Sequence, residues 1–423
     1  MRRLDAADPD FERDFAAFLA APRGAAADVD VAVAEILDAV RSEGLAAVKR
    51  FTLRFDGVKM DDPAVSREEI EAGAAACPQG VRHALAFAAG RIRAYHQHLL
   101  PADGAFIDDA GVELGWRWTA LDSVGIYVPG GRAAYPSTVL MNAIPAQVAG
   151  VGRIAMTTPA GQLSPAVLAA AKEAGVTEIW RVGGAQAVAA LAFGAGPIRP
   201  VDKIVGPGNA YVTAAKRRVY GVVGIDSLAG PSEIVVVADR ANDPEWIAAD
   251  LLSQAEHDPD AQSILITNDA AFGRTVEVAI ERQLETLPTA DVARAAWRDH
   301  GAVVIAPLDS APGLVDRIAP EHVELAVENP DAMAARIRHA GAIFLGRYAP
   351  EAVGDYVAGP NHVLPTSGSA RFSSGLSTLD FLKRTSLTRC DADAFAVLAG
   401  PAETLAVAEG LPAHARSLSI RRN

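Results

Sequence analysis

The sequence has few cysteines, little excess positive charge and no long apolar run, and each absence excludes a class of protein. Cys77 and Cys390 are the only cysteines among 423 residues, too few for a disulfide framework or a cysteine-rich metal site. A formal net charge of −13 argues against a nucleic-acid partner, because such binding depends on neutralising phosphates. The charged start MRRLDAADPDFERDF lacks the apolar run of a secretory signal, and no apolar segment approaches the roughly 20 residues of a membrane helix. We expect a soluble, cytoplasmic protein.

Strand and helix patterns alternate from about residue 150 onward. Short Val- and Ile-rich segments, such as EIVVVAD and QSILITND, are separated by segments with helical periodicity. This alternation predicts parallel sheets covered by helices on both faces. Two such runs meet near AGPSE at residues 229–233. The predicted fold class is therefore α/β, with two incomplete Rossmann-like parallel-sheet domains side by side.

The predicted domains follow that division. Residues 22–126 and 232–376 are assigned to one discontinuous α/β domain, and residues 127–231 to an α/β domain inserted in it. Residues 1–21 and 377–423 fit neither sheet pattern and are assigned as small helical extensions. Terminal segments of this kind often pack against a partner subunit.

A predicted helix in NDPEWIAADLLSQAEH carries polar groups where leucine would be expected. Its apolar stripe contains Ile247 and Leu251 and continues, by helical spacing, to Gln254 and His257. The stripe thus places an amide and an imidazole toward the core. Such a pair is more often a satisfied core or capping pair than a metal site, so both interpretations stay open at this point.

Three further histidines lie in unusual local settings. His322 directly follows Glu321 in APEHVEL, at a turn before a predicted strand. His362 lies seven residues after Asp355 in the Gly- and Pro-rich segment GDYVAGPNHVLPT. The simplest interpretations are a solvated bend and an ordinary loop.

His414, in EGLPAH near the C terminus, follows Glu409 by five residues. Together Gln254, His257, Asp355 and His414 would supply two imidazoles, a carboxylate and an amide oxygen. Nitrogen and oxygen donors that leave room for substrate are typical of catalytic zinc sites. Strong zinc motifs such as HExxH are absent, so residue types alone leave the zinc site as one hypothesis. The other five histidines lie among charged residues on predicted helices and are given no role: His83, His96, His98, His300 and His339.

Two glycine-containing turns could hold a phosphate. IVGPGNAY places G-x-G between a strand and a helix, where backbone N–H groups and the helix dipole favour anions. Tyr211 stands where the dinucleotide fingerprint would have its third glycine. A Gly-Gly turn in YVPGGRAAY precedes Arg132. Taken alone, each is more simply a tight βα turn.

Nine motifs, taken in order, resemble those of the histidinol dehydrogenase family. They span about residues 124–414, with the spacing of that family: YVPGG, VLMNAIPA, RVGGAQA, VGPGNAYV, AGPSE, LLSQAEHD, APEHVEL, GDYVAGPNHVLPTSGSARFSSGLS and EGLPAH. Each motif is weak alone, but the ordered set is specific. The resemblance implies an enzyme of histidine biosynthesis that oxidises L-histidinol to L-histidine through the aldehyde. It further implies two NAD reduced per turnover and one Zn²⁺ per subunit.

The resemblance also assigns residues and a partner. It implies a homodimer whose C-terminal tail reaches the site of the other subunit, with the metal and catalytic residues on the discontinuous domain and the NAD contacts on the inserted one. The implied zinc ligands are Gln254, His257, Asp355 and His414. The implied substrate contacts are Ser232, Gln254, His257, His322, Asp355, His362, Glu409 and His414. The implied NAD contacts are Tyr127, Gln186 and Asn209.

The chemistry of alcohol oxidation suggests roles for the Glu321–His322 pair. A base with a pKa near neutrality suits removal of the hydroxyl proton, which favours His322. Glu321 would then activate the water that adds to the aldehyde. Neither cysteine lies beside a candidate base, so a thiol nucleophile is not expected. The alternatives are a zinc hydrolase, a binding protein without catalysis, and a related dehydrogenase of another small polar alcohol.

Overall fold

The computed structural model describes residues 1–23, 28–130 and 135–422, so Gly131 and Arg132 of the Gly-Gly turn lie outside the described residues. The described strands form three sheets. In chain order the strands are β1 (Arg2–Asp5), β2 (Gly104–Ile107), β3 (Glu113–Ala120), β4 (Ser123–Tyr127), β5 (Arg153–Thr157), β6 (Glu178–Trp180), β7 (Lys203–Val205), β8 (Gly224–Ile225), β9 (Glu233–Ala238), β10 (Gln262–Thr267), β11 (Ala302–Ile305), β12 (His322–Ala326), β13 (Ala342–Leu345) and β14 (Leu382–Arg389).

Helices connect and cover these strands. No helix among the described residues is long and apolar enough to cross a membrane. In chain order the α-helices are α1 (Phe11–Leu19), α2 (Asp28–Glu43), α3 (Leu45–Asp56), α4 (Arg67–Ala76), α5 (Gln79–His98), α6 (Pro136–Ala149), α7 (Pro165–Glu173), α8 (Gly184–Phe193), α9 (Ala210–Val219), α10 (Pro244–Ala255), α11 (Ala270–Leu284), α12 (Ala290–His300), α13 (Ala311–Ile318), α14 (Pro330–Ala334), α15 (Glu351–Tyr356), α16 (Ala392–Ala408) and α17 (Pro412–Ser419).

Two of the sheets are wholly parallel, which confirms the predicted fold class. The six-stranded sheet has the order β1-β11-β10-β9-β12-β13, and the five-stranded sheet has the order β6-β5-β4-β7-β8. Every residue of β9 (EIVVVA) and of β10 (QSILIT) is buried. Val and Ile suit such strands because helices cover both faces of a parallel sheet.

The third sheet is antiparallel and was not predicted. Its order is β14-β3-β2, and β3 pairs with β14 along the full length of both strands. The strand ELGWRWTA is only partly covered, and all of LKRTSLTR beyond its first residue is exposed. Neither segment therefore has the apolar pattern from which a buried strand is predicted. This sheet ties the start of the C-terminal tail to residues 104–120.

The prediction that residues 1–21 fit neither sheet is wrong. β1 is the edge strand of the six-stranded sheet and pairs in parallel with β11. The side chains of Phe11, Phe15 and Phe18 on α1 are buried in the core of the same sheet. The sequence hides the strand because RRLD buries only Leu4, as is typical of a short edge strand.

The predicted domain boundaries do not follow the packing at every point. Helices α2 to α5 pack on helices of the five-stranded sheet, namely α6 to α9, although residues 22–126 were grouped with the six-stranded sheet. The boundary at residue 127 also cuts β4, a central strand of the five-stranded sheet. Periodicity within a helix shows which face is buried but not which sheet covers it. The division into domains as a whole stays a prediction.

Candidate metal and catalytic site

The amino ends of β9 and β12 lie side by side in the six-stranded sheet and carry the first set of polar groups. Because His322 is paired with Ile234 in the parallel register, the residues that begin the two strands adjoin. The Glu321 carboxylate accepts a hydrogen bond from the backbone N–H of Glu233, with 3.0 Å between Oε2 and N. Ser232, directly before β9, is half-buried at the same edge. The topology thus joins the predicted Glu321–His322 pair to the AGPSE motif.

The hydrogen bonds of His322 fix its tautomer. Its Nδ1 lies 3.0 Å from the backbone oxygen of Glu233 and 3.0 Å from Oε1 of Gln254. Both oxygens only accept, so the proton of the neutral ring is on Nδ1 and the lone pair is on Nε2. Burial lowers the pKa of His322 to about 4, well below the near-neutral value expected from the sequence. The ring is therefore a neutral proton acceptor at physiological pH.

Glu321 is buried beside this ring, with Oε2 3.7 Å from Nδ1 of His322. Burial raises the pKa of Glu321 well above its ordinary value, and the carboxylates of Glu233, Asp355 and Glu351 raise it further. A carboxyl group with a raised pKa can exchange a proton near neutral pH. The pair thus combines a neutral imidazole with a carboxyl group that readily takes up a proton.

Gln254 and His257 occupy different environments, although the sequence predicts one buried stripe. Gln254 is buried, as expected, at the end of α10. His257 is exposed in the turn beyond Ala255, the last residue of the helix, so the prediction of a core-facing His257 is wrong. The physical reason is Pro259, which disfavours helical backbone at the residue before it and ends the helix early.

A cluster of possible metal ligands forms where this turn meets α15. His257, Glu351 and Asp355 offer ligand atoms that all lie within 4.8 Å of one another. We call these three residues the donor cluster. Asp355 was predicted, but Glu351 was missed, although its spacing of four residues places both carboxylates on one helix face. An imidazole and two carboxylates match the donor types that zinc accepts.

His362 packs against the same helix. Its Nδ1–H donates to the backbone oxygen of Asp355 at 3.0 Å and lies 3.8 Å from Oδ1 of that residue. Burial lowers the pKa of His362, so the ring is neutral with its lone pair on Nε2. The predicted substrate contact is thus adjacent to the predicted ligand Asp355.

The tail residues stand apart from this cluster in one chain. Glu409 is exposed at the end of α16, and His414 is exposed on α17. The two tail helices pack on each other. Among the described residues of a single chain, the donor cluster contains His257 and Asp355 but not His414.

The predicted NAD contacts lie at the carboxyl ends of the five-stranded sheet. The hydroxyl of Tyr127, at the end of β4, accepts a hydrogen bond from the backbone N–H of Gly184 at 3.1 Å. Gln186 is buried two residues further on, and neither atom of its amide has a partner among the described residues. Asn209 is the N-cap of α9, its Oδ1 accepting from the N–H groups of Tyr211 and Val212. Parallel α/β sheets bind ligands at this edge.

A buried ion pair holds the VGPGN loop against β4. Lys216 donates to the backbone oxygen of Gly206 at 3.0 Å, and Asp226 accepts from the N–H of Gly206 at 2.8 Å. Lys216 and Asp226 also pair with each other, both nearly fully buried. Gly206 has a φ of +112°, and a Cβ there would lie 2.2 Å from the backbone oxygen of Tyr127. Only glycine fits, and the loop carrying Asn209 is thereby fixed beside Tyr127.

Comparison with known proteins settles which family has this arrangement. A sequence model of histidinol dehydrogenase matches residues 20–422. The chain belongs to the histidinol dehydrogenase family. A histidinol dehydrogenase of Caulobacter vibrioides is 70% identical over 423 residues, covering 100% of this chain and 99% of that protein. One of Rhizobium meliloti is 59% identical, covering 100% of this chain and 98% of that protein.

A solved structure agrees with the sequence comparison. The crystal structure of histidinol dehydrogenase from Elizabethkingia anophelis superposes with a TM-score of 0.95 at 36% identity, covering 100% of this chain and 98% of that one. The chain is therefore an oxidoreductase of histidine biosynthesis, as its ordered motifs predict. Family membership also decides against the hydrolase and binding-protein alternatives.

Proposed function

We propose that the chain oxidises L-histidinol to L-histidine through the aldehyde, with Zn²⁺ and two NAD per turnover. The observation that carries this proposal is the position of His322, a buried neutral imidazole with a free Nε2 beside the donor cluster. A buried proton acceptor beside a cluster of metal donors is typical of a site that acts on a bound substrate. Family membership supports the choice of histidinol over another small alcohol.

Gln254, His257 and Asp355 would hold the Zn²⁺ together with His414 of the partner subunit. The donor cluster fits such an ion, because Oε1 of the buried Glu351 has no hydrogen-bond partner among the described residues and the residue offers a ligand atom within 4.8 Å of those of His257 and Asp355. When bound, the ion would orient the substrate and could polarise its oxygen. Gln254 links this site to the base, since its Oε1 already accepts from His322.

In the first oxidation, Nε2 of His322 would accept the proton of the substrate hydroxyl. At the same time a hydride would leave the carbon that bears this hydroxyl and pass to NAD. The backbone oxygen of Glu233 and Oε1 of Gln254 hold the opposite side of the ring. Both acceptors would stabilise the imidazolium that forms, because its Nδ1–H becomes a charge-assisted donor. Removal of a positioned proton acceptor typically slows such steps by about 10²–10⁴-fold.

In the second oxidation, water must add to the aldehyde before another hydride can leave. Glu321 would take the proton from that water, and His322 would again take the proton of the hydroxyl that is oxidised. A raised pKa suits Glu321 to this task, because it brings the carboxyl group closer to the pH at which proton transfer is most effective. Ser232 and His362 would contact the substrate from the same subunit as His322. Glu409 of the partner subunit would contact it as well.

NAD would bind at the carboxyl edge of the five-stranded sheet. Tyr127, Gln186 and Asn209 would contact it. The unpartnered amide of Gln186 supports this assignment, because a buried polar group without a partner costs free energy unless a ligand satisfies it. The Oδ1 of Asn209 caps the helix, which would leave the side-chain nitrogen to donate to a ligand.

A homodimer would complete the site. The tail helix α16 exposes apolar side chains along its length, among them Val397, Leu405 and Val407. Several exposed apolar side chains on one helix favour an interface, and a second copy of the chain would cover them. The tail would then carry His414 to the donor cluster of the partner, where a single chain lacks this ligand.

Absorbance of NADH tests the proposal. Purified protein, stripped of metal with a chelator and reloaded with Zn²⁺, should reduce two NAD for each L-histidinol consumed. The stripped protein should be inactive until zinc is added. Activity that survives the chelator, or one NADH per histidinol with aldehyde released, would contradict the mechanism.

A further inference from the structure

Glu351 and Asp355 project from the same face of α15 toward one point. Glu351 begins the helix and Asp355 follows one turn later, so the two carboxylates are neighbours on its surface. His257 reaches the same point from the turn after α10, and the ligand atoms of all three residues lie within 4.8 Å of one another. The convergence therefore joins two separate helical elements.

Glu351 is buried with one carboxylate oxygen unsatisfied. Its residue exposure is 1%. Oε2 accepts a hydrogen bond from the hydroxyl of Ser253 at 3.1 Å, whereas Oε1 has no partner among the described residues. Loss of water from a carboxylate oxygen costs several kcal/mol unless another group replaces it. The geometry leaves Oε1 available to a ligand beside His257 and Asp355.

Positive charge is missing around these carboxylates. Among the described residues, Glu351 and Asp355 form ion pairs with histidines only, His322 at 3.9 Å and His362 at 3.8 Å. Both rings are neutral, each with its single proton on Nδ1. Glu324 and Asp250 interact electrostatically with Glu351 and add acidic groups and no counter-charge. Burial and the neighbouring carboxylate of Asp355 raise the pKa of Glu351 well above its ordinary value, so a cation at the donor cluster would replace a proton on this acidic group.

We propose that Glu351 is a further protein ligand of the divalent ion, binding it through Oε1 when no substrate is present. The inference rests on the proposed zinc site but adds a ligand to it. Imidazole nitrogen and two carboxylate oxygens form a donor set that zinc accepts. This set lies within one chain, so a subunit can hold the ion before His414 of the partner subunit is in place. The hydrogen bond from Ser253 orients the ligand, as outer groups commonly do at metal sites.

Zinc titration without NAD or histidinol tests this role. Metal-free protein would be titrated with Zn²⁺ against a chromophoric chelator, comparing the wild type with Glu351→Gln and Glu324→Gln. Glu324 is the matched control, because it is equally buried in the same acidic group but is outside the donor cluster. We expect Glu351→Gln to weaken the zinc Kd by at least about tenfold, the lower bound even for loss of an outer-shell partner. Glu324→Gln should leave it unchanged.

The visible spectrum of the Co²⁺-loaded protein gives a second readout that does not depend on affinity. Cobalt absorption responds to the identity and geometry of its ligands, so Glu351→Gln should change the spectrum and Glu324→Gln should not. Glu351→Asp keeps the charge but withdraws the oxygen by one methylene group. It should give a third spectrum and an intermediate Kd for zinc. If circular dichroism shows that Glu351→Gln does not fold, Glu351→Asp replaces it in both measurements.

His257→Asn separates failure of this inference from failure of the proposed function. If His257→Asn loses zinc while Glu351→Gln keeps wild-type affinity and the wild-type cobalt spectrum, the zinc site stands and Glu351 is not a ligand. If His257→Asn also binds zinc normally, the zinc site itself is misplaced, and the role of Glu351 falls with it.

Discussion

At the scale of single residues, the chemistry depends on which nitrogen of His322 is free. The backbone oxygen of Glu233 and the amide oxygen of Gln254 both face Nδ1, so the lone pair is on Nε2. Both acceptors are far from His322 in the sequence, and they reach its ring because β9 and β12 are neighbours in the sheet. The proposed base is therefore positioned by sheet topology as much as by its own side chain.

Replacement of His322 by Asn should cripple turnover and leave zinc binding intact. We expect kcat to fall by about 10²–10⁴-fold, because the proton acceptor is lost while the metal ligands remain. Steady-state NADH formation measures the first effect, and metal analysis of the purified protein measures the second. His83→Asn, an exposed helical histidine, is the matched control and should behave as the wild type. Loss of zinc from His322→Asn would mean that His322 is a ligand.

A second histidine, His96 on α5, was given no role because charged residues surround it in sequence. It is nevertheless fully buried, and neither ring nitrogen has a partner among the described residues. Burial lowers its pKa from 6.5 to about 4. As the pH falls, His96 is therefore protonated in the unfolded chain at a higher pH than in the folded protein. The folded state loses stability between about pH 6.5 and 4.

Replacement of His96 by Phe should remove this acid sensitivity. The wild type should lose up to about 3 kcal/mol more of its free energy of unfolding than His96→Phe between the two pH values. Denaturant unfolding of both proteins at pH 6.5 and 4 measures the difference, with His98→Phe at the helix end as control. Parallel stability curves for wild type and His96→Phe would show that His96 does not titrate during unfolding.

The sequence predicted a good part of the site and missed part of it for physical reasons. Gln254 was placed in the core by helical periodicity, and the Glu321–His322 pair by its adjacency. His257 was misplaced because Pro259 ends the helix early. Glu351 was missed because two acids one turn apart on a short helix are most often solvated, and only the approach of His257 makes them a donor cluster.

At the scale of elements, each of the two parallel sheets carries the candidate functional residues at a different edge. The five-stranded sheet presents its carboxyl ends, where Tyr127 and the VGPGN loop lie, as parallel α/β sheets generally do. The six-stranded sheet instead presents its amino ends, where Glu233 and His322 begin their strands. The strand and helix alternation predicted both sheets, but no local pattern shows which edge is used.

The first helix shows how a tertiary role can escape the sequence. α1 has a clear apolar stripe, but nothing in it shows which sheet the stripe covers. Phe15→Ala should lower the free energy of unfolding by about 3–5 kcal/mol, because Phe15 is fully buried in the core of the six-stranded sheet. Phe87→Ala, with 60% of Phe87 exposed, should change it by less than about 0.5 kcal/mol.

Denaturant unfolding of both variants provides the measurement. Equal, small effects would mean that residues 1–21 are a loosely attached extension, as the sequence first suggested.

The antiparallel sheet was missed for a related reason. β14 is exposed along almost its whole length, so its pairing with β3 depends on backbone hydrogen bonds, which leave little trace in side-chain polarity.

At the scale of the whole molecule, the proposed active site is an assembly of two chains. One chain supplies the base and the donor cluster, while the exposed tail helices α16 and α17 carry Glu409 and His414 away from it. Because the two subunits of a twofold dimer are equivalent, each tail would complete the site of the other subunit. Neither subunit should be active alone.

Complementation between two inactive variants tests this account most directly. Subunits carrying His414→Ala are mixed with subunits carrying His322→Asn, after each homodimer has been shown to be inactive. A mixed dimer has one complete site, with His322 from one chain and His414 from the other. Random reassortment should therefore restore about one quarter of wild-type activity, since half of the dimers are mixed and each has one of two sites intact. No recovery of activity, with mixed dimers confirmed by mass spectrometry, would contradict a shared site.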